Sequence, residues 1–84
     1  MVTSILRLPT VLHKRGRSRS AHYLDIQQGL FPKPVVIGTR AVGWPEHEVA
    51  AVNLARIAGN TEDEIRKLVI RLEAARKEQP KDEG

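Results

Sequence analysis

Arg17-Ser18-Arg19-Ser20 sets two guanidiniums and two short hydroxyls on four consecutive residues. A guanidinium donates in a fork that fits phosphate oxygens or the edge of guanine, and a serine hydroxyl donates or accepts at short range. The tetrad therefore has the chemistry of nucleic-acid contact. His22 and Tyr23 follow within one helical turn and extend the candidate set. His22 sits on the boundary of the inward face, where a structural role competes with base contact. A second cationic group lies downstream, with Lys33 between two prolines and Thr39-Arg40 in the turn Gly38-Thr39-Arg40. A basic helix start beside a basic hairpin tip predicts a winged helix-turn-helix that grips double-stranded DNA.

The surrounding chain must supply the elements that hold these groups. Pro9 suits the first turn of a short helix over about Thr10 to Lys14 that buries Val11 and Leu12. Gly16 permits the turn into a second helix, capped by Ser18 or Ser20 and closed by Gly29. On that helix Ile26 and most of Tyr23 are expected inward, with Arg19 and Ser20 outward. Phe31-Pro32-Lys33-Pro34 cannot be helical, because each proline forces its predecessor into extended geometry. Val35-Val36-Ile37 and Ala41-Val42-Gly43-Trp44 then read as the two strands of a hairpin, with Trp44 anchoring it on the helices.

Pro45 opens a third helix at its first position, with Glu46 and Glu48 near the positive helix end. Val49, Val52 and the stem of Arg56 form its inward stripe, and Gly59 closes it. Thr61-Glu62-Asp63-Glu64 spells a capping box before a last helix over about 62 to 78. Glu62–Arg66, Asp63–Lys67 and Glu73–Lys77 are favourably ordered pairs on its exposed faces. Ile65, Leu68, Val69 and Leu72 share one face, and the 3-4-3 spacing of Ile65, Leu68, Leu72 and Ala75 admits two readings, an intramolecular core stripe, which is favoured, or a surface for a partner or a second copy. The expected organisation is mainly α with a small β-hairpin wing. Residues 1–7 form an arm or short first strand, 8–59 the winged helix-turn-helix, 60–78 the extra C-terminal helix, and 79–84 a disordered tail.

Composition narrows the function classes. Eighty-four residues make one small domain. There is no cysteine, so disulfides and Cys-based zinc sites are excluded, and the three histidines lie far apart. No metal or cofactor is expected. No apolar run approaches the roughly 18 residues of a membrane span, and no signal-peptide pattern opens the chain, so a soluble, cytoplasmic protein is expected. No nucleophile, base or metal arrangement suggests an enzyme, since Glu46-His47-Glu48 is not a metalloprotease motif. The net charge of +4 is unevenly distributed: residues 1–44 carry seven Lys/Arg and one acid, whereas 45–84 carry seven Lys/Arg and nine acids. A +6 half joined to a −2 half points to a polyanionic partner. The competing reading is a small protein-interaction module, an anti-repressor or integrase adaptor, whose basic face is incidental.

Several stretches together resemble the AlpA family of phage and mobile-element regulators, small proteins with a MerR-like winged helix-turn-helix. They are Ser18-Arg19-Ser20 with Tyr23, then GLFPKPVVIGTRAVGW, then PEHEV from Pro45 to Val49. The run ARIAGNTEDEIRKLV is similar to the C-terminal extension of one branch, and the likeness covers about Leu6 to Arg76. The chain departs from the pattern at Arg17, often apolar in the family, at His22, where many members have isoleucine, and at Val52, where many have tryptophan. The resemblance implies sequence-specific DNA binding, with roles in transcription control and in helping an integrase excise an element. An integrase is then an expected partner, and self-association on DNA is expected separately, because a single small module with one helix in the major groove offers little contact area.

Overall fold

The computed structural model describes residues 4–78. The elements run β1 (Ile5–Leu6), α1 (Leu8–Arg15), α2 (Arg19–Gln27), β2 (Val35–Gly38), β3 (Ala41–Pro45), α3 (Glu46–Ile57) and α4 (Glu62–Glu78). The protein is a winged helix-turn-helix followed by a C-terminal helix. The first three residues of the expected arm and the expected disordered tail from Gln79 lie outside the described residues.

Local chemistry sets most of the boundaries. Pro9 occupies the first turn of α1, and Gly16 at φ 66° closes it, its N–H donating to the carbonyls of Leu12 and His13. A side chain is disfavoured in that left-handed conformation, so glycine stands at the corner between α1 and α2. Ser18 caps α2, its Oγ accepting from the Ala21 N–H at 3.2 Å, a cap worth about 1 kcal/mol. Pro45 is the N-cap of α3 and Glu46 its first helical residue, one position later than the sequence pattern suggests. The capping box of α4 is reciprocal: Thr61 Oγ1 accepts from the Glu64 N–H, and Glu64 Oε1 accepts from the Thr61 N–H.

The wing differs from the expected two-stranded ribbon. The strand order is β1-β3-β2, all antiparallel, with Leu6 opposite Trp44 and Ile5 opposite Pro45. An isolated hairpin is marginal in water, and β1 satisfies the second edge of β3. Gly43 makes room for it, since a Cβ there would stand 2.6 Å from Ile5 Cγ2 and 2.8 Å from the Leu6 carbonyl oxygen.

The core is Val11, Leu30, Phe31, Trp44, Val49, Val52, Ala55, Ile65 and Val69. Trp44 is fully buried and its Nε1 donates to the Pro32 carbonyl at 2.9 Å. Leu30, Phe31 and Pro32 are buried too, so the proline-rich crossing runs through the interior instead of over it. On α4, Ile65 and Val69 are buried, and Leu68 and Leu72 pack against them. That stripe is intramolecular.

Polar contacts from α4 hold both ends of the crossing between α2 and the wing. Arg66 Nε donates to the Gln28 carbonyl at 2.9 Å. Glu73 accepts the Lys33 N–H at 2.8 Å, and Arg76 NH2 donates to the Lys33 carbonyl at 2.7 Å. Arg76 also donates to both oxygens of Glu48, which is fully buried on α3. Of the surface pairs expected on α4, Glu62 and Arg66 stand 3.8 Å apart, while Asp63 pairs with Arg66 at 3.2 Å and not with Lys67.

Candidate nucleic-acid interface

The start of α2 is exposed at Ser18, Arg19 and Ser20, although Ser18 Oγ is engaged as the cap. Tyr23 is 42% exposed, more than the expected inward packing, because it shares the outward row with Arg19 and Ser20. Lys33, Thr39 and Arg40 are exposed, the last two forming the two-residue turn at the wing tip. These groups are accessible to a ligand.

His22 leaves the set of DNA contacts, because it is fully buried. Turning Arg19 and Tyr23 outward turns His22 and Ile26 toward the core. The imidazole packs against Trp44 and Phe31, with ring centroids 4.9 and 5.1 Å away, and its Nδ1 lies 2.7 Å from Arg15 NH1. Arginine can only donate, so Nδ1 accepts and the ring proton resides on Nε2. That Nε2 has no hydrogen-bond partner among the described residues. Burial, reinforced by the charge of Arg15, pushes the His22 pKa down to about 4, so the ring is neutral at pH 7.

Asp25 organises this interior and was not among the expected site residues. Its side chain is 5% exposed and accepts from Arg15 NH2 at 2.7 Å, while Arg17 chelates it through Nε at 3.1 Å and NH2 at 2.9 Å. Arg15 is itself buried, with its guanidinium carbon 4.0 Å from the Phe31 ring centroid. Burial lowers the Arg15 pKa, against the hydrogen bond and charge of Asp25. Two signals for this cluster were available: Asp25 is the single acid in residues 1–44, and the resemblance puts isoleucine, an apolar residue, at His22. Neither names the arginine partners.

The electrostatic consequence is direct. With Asp25 enclosed and paired, no exposed acid remains among residues 4–44, whereas Arg7, Lys14, Arg19, Lys33 and Arg40 are all exposed. Among the described residues, no three His, Asp or Glu side chains are grouped to hold a metal ion.

The family model described as "Prophage CP4-57 regulatory protein (AlpA)" matches residues 4–51. That span includes β1, α1, α2, the wing and the first half of α3. An uncharacterized protein, ORF88, of Enterobacteria phage P4 is 46% identical over 54 residues, covering 64% of this chain. The match covers 61% of the length of that relative. No solved structure matches the chain.

Proposed function

The chain belongs to the AlpA family of prophage regulatory proteins, and on that premise we propose that it is a sequence-specific binder of double-stranded DNA. In this reading α2 enters the major groove, with Arg19 and Ser20 against base edges or phosphates and Tyr23 beside them. The wing turn carries Thr39 and Arg40 along the adjoining backbone or minor groove, and Lys33 approaches a phosphate at its root. The observation that carries the reading is the enclosure of Asp25, which leaves the surface of the basic half without a negative group. The outcome of binding is control of transcription, and the same grip on DNA would let the protein assist an integrase in excising an element. The cell compartment is the cytoplasm, where such DNA is accessible.

Enrichment of sequences from a random duplex pool, followed by salt titration of the winner, tests the proposal. A preferred sequence is expected, with log K falling steeply as log salt rises. Failure to enrich any sequence, with binding indifferent to salt, would leave the protein-interaction module as the better reading.

A second element of the proposal is assembly of several copies on neighbouring sites. One helix in one major groove buries only roughly 600–1,000 Å². Leu54 and Ile57, one turn apart on α3, are 65% and 81% exposed, and Ile70 on α4 is 67% exposed. Apolar side chains this open on so small a domain favour contact with another protein surface, a second copy or an integrase.

A further inference from the structure

Three guanidiniums converge on one carboxylate at the corner between α1 and α2. Arg15 and Arg17 occupy the oxygens of Asp25 by direct hydrogen bonds, and Arg56 NH2 stands 3.9 Å from Oδ2. That last separation is too long for a hydrogen bond, so Arg56 is drawn to the carboxylate only by charge. One negative charge against three positive ones leaves the cluster at +2. Arg15 is sealed inside, whereas the side chains of Arg17 and Arg56 are 38% and 36% exposed. The excess charge is therefore at the surface. Its location also matters, because Arg17 directly precedes Ser18, the cap of α2.

We infer that Arg56, together with the Asp25-anchored Arg17, forms a docking point for one backbone phosphate of the DNA flanking the α2 contact. This rests on the DNA-binding reading above and adds to it a residue from α3, outside both α2 and the wing. Asp25 takes two donors of Arg17, Nε and NH2, and so fixes the plane of its guanidinium, leaving NH1 without a hydrogen-bond partner among the described residues on a side chain that is 38% exposed. Among the described residues no hydrogen bond engages the Arg56 guanidinium, and only its NH2 stands near Asp25, so the rest of its fork is available to an anion. The negative end of α3 accounts for a cation in its last turn. It does not account for that cation lying beside two others that already saturate the nearest acid. Asp25 and Arg17 act as a positioning pair, and Arg56 supplies the added contact.

The test compares the full chain with Arg56→Gln and Arg56→Lys on the enriched duplex and on random duplex. Arg56→Gln should weaken both by roughly tenfold and reduce the slope of log K against log salt by about 1. Arg56→Lys should keep the slope. Because the repulsion of Arg56 by Arg15 and Arg17 offsets its attraction to Asp25 and to the end of α3, its removal should leave the melting temperature nearly unchanged, where a structural role would lower it. A scan of the duplex with single methylphosphonates should find one neutralised phosphate that weakens the unaltered protein but not Arg56→Gln. Equal affinities and slopes for the unaltered protein and Arg56→Gln would overturn the inference while leaving DNA binding intact. So would inorganic phosphate shifting the Arg56 resonances while no methylphosphonate position distinguishes the two proteins. No binding of any duplex by the unaltered protein would overturn the DNA-binding reading and this one with it.

Discussion

Arg76 on α4 donates to both carboxylate oxygens of Glu48 on α3, at 2.6 and 2.9 Å, and Glu48 is closed to solvent. The hydrogen bond to Glu48 holds the Arg76 guanidinium above its ordinary pKa range, against the opposing effect of burial. The same guanidinium donates to the Lys33 carbonyl at the root of the wing. One side chain thus ties α4, α3 and the crossing segment together.

Breaking that pair from one side should be costly. Arg76→Ala leaves a buried carboxylate without a partner and is expected to lower stability by about 3 kcal/mol, the low end of such losses because Arg76 is 23% exposed. Replacing both partners, as in Glu48→Leu with Arg76→Leu, should recover most of it. Urea unfolding of the unaltered protein and the two variants measures the difference, and a loss below about 1 kcal/mol for Arg76→Ala would contradict the assignment.

His22 should make the fold sensitive to mild acid. Below the ordinary histidine value of 6.5 the unfolded chain takes up a proton, whereas the folded ring stays neutral until about pH 4. Stability is therefore expected to fall as pH drops through that window, by about 3 kcal/mol at its lower end. Denaturant melts at steps from pH 7 to pH 4 should show the decline. In His22→Gln, which keeps a polar group near Arg15, the part due to this residue should disappear. A decline of the same size in that variant would assign it elsewhere.

Arg19 and Arg40 should fail in different ways. Arg19→Ala is expected to cost about 1–3 kcal/mol and relax preference at one base pair if its contact is bidentate to guanine. Arg40→Ala should weaken all sequences alike and reduce the salt slope by about 1. Isotherms on specific and random duplex, at several salt concentrations, separate the two patterns. An unchanged isotherm for Arg19→Ala would remove α2 as the reader.

Leu72 and Ile57 should separate folding from assembly. Leu72 packs on the core, so Leu72→Asp should lower the melting temperature of the free protein. Ile57 is 81% exposed, so Ile57→Asp should leave that temperature in place and reduce cooperativity on DNA with adjacent sites. A Hill coefficient near one for the unaltered protein on such DNA would end the assembly proposal.

What the sequence determined by itself is the set of features governed by near neighbours. Pro9, Gly16, Ser18, Gly29 and the Thr61–Glu64 box act within four residues, through dihedral limits and unpaired helix-end groups, so their types and order suffice to read them. The apolar spacing of Ile65, Leu68, Val69 and Leu72 likewise fixes which face of α4 is apolar, though not what covers it. Tertiary structure alone decided the fate of Asp25, Glu48 and the ring of His22. Asp25 and Glu48 have the composition of surface residues, and burying a carboxylate is tolerable only where a specific cation arrives to pair with it. Those cations come from Arg15, Arg17 and Arg76, 10, 8 and 28 positions away, and no local pattern links them. For the same reason the sequence left residues 1–7 between an arm and a short first strand, since two residues acquire strand geometry only by pairing with β3 over Gly43. His22 went inward because α2 can present only one face to solvent, and packing against Trp44 and Phe31 selected which one.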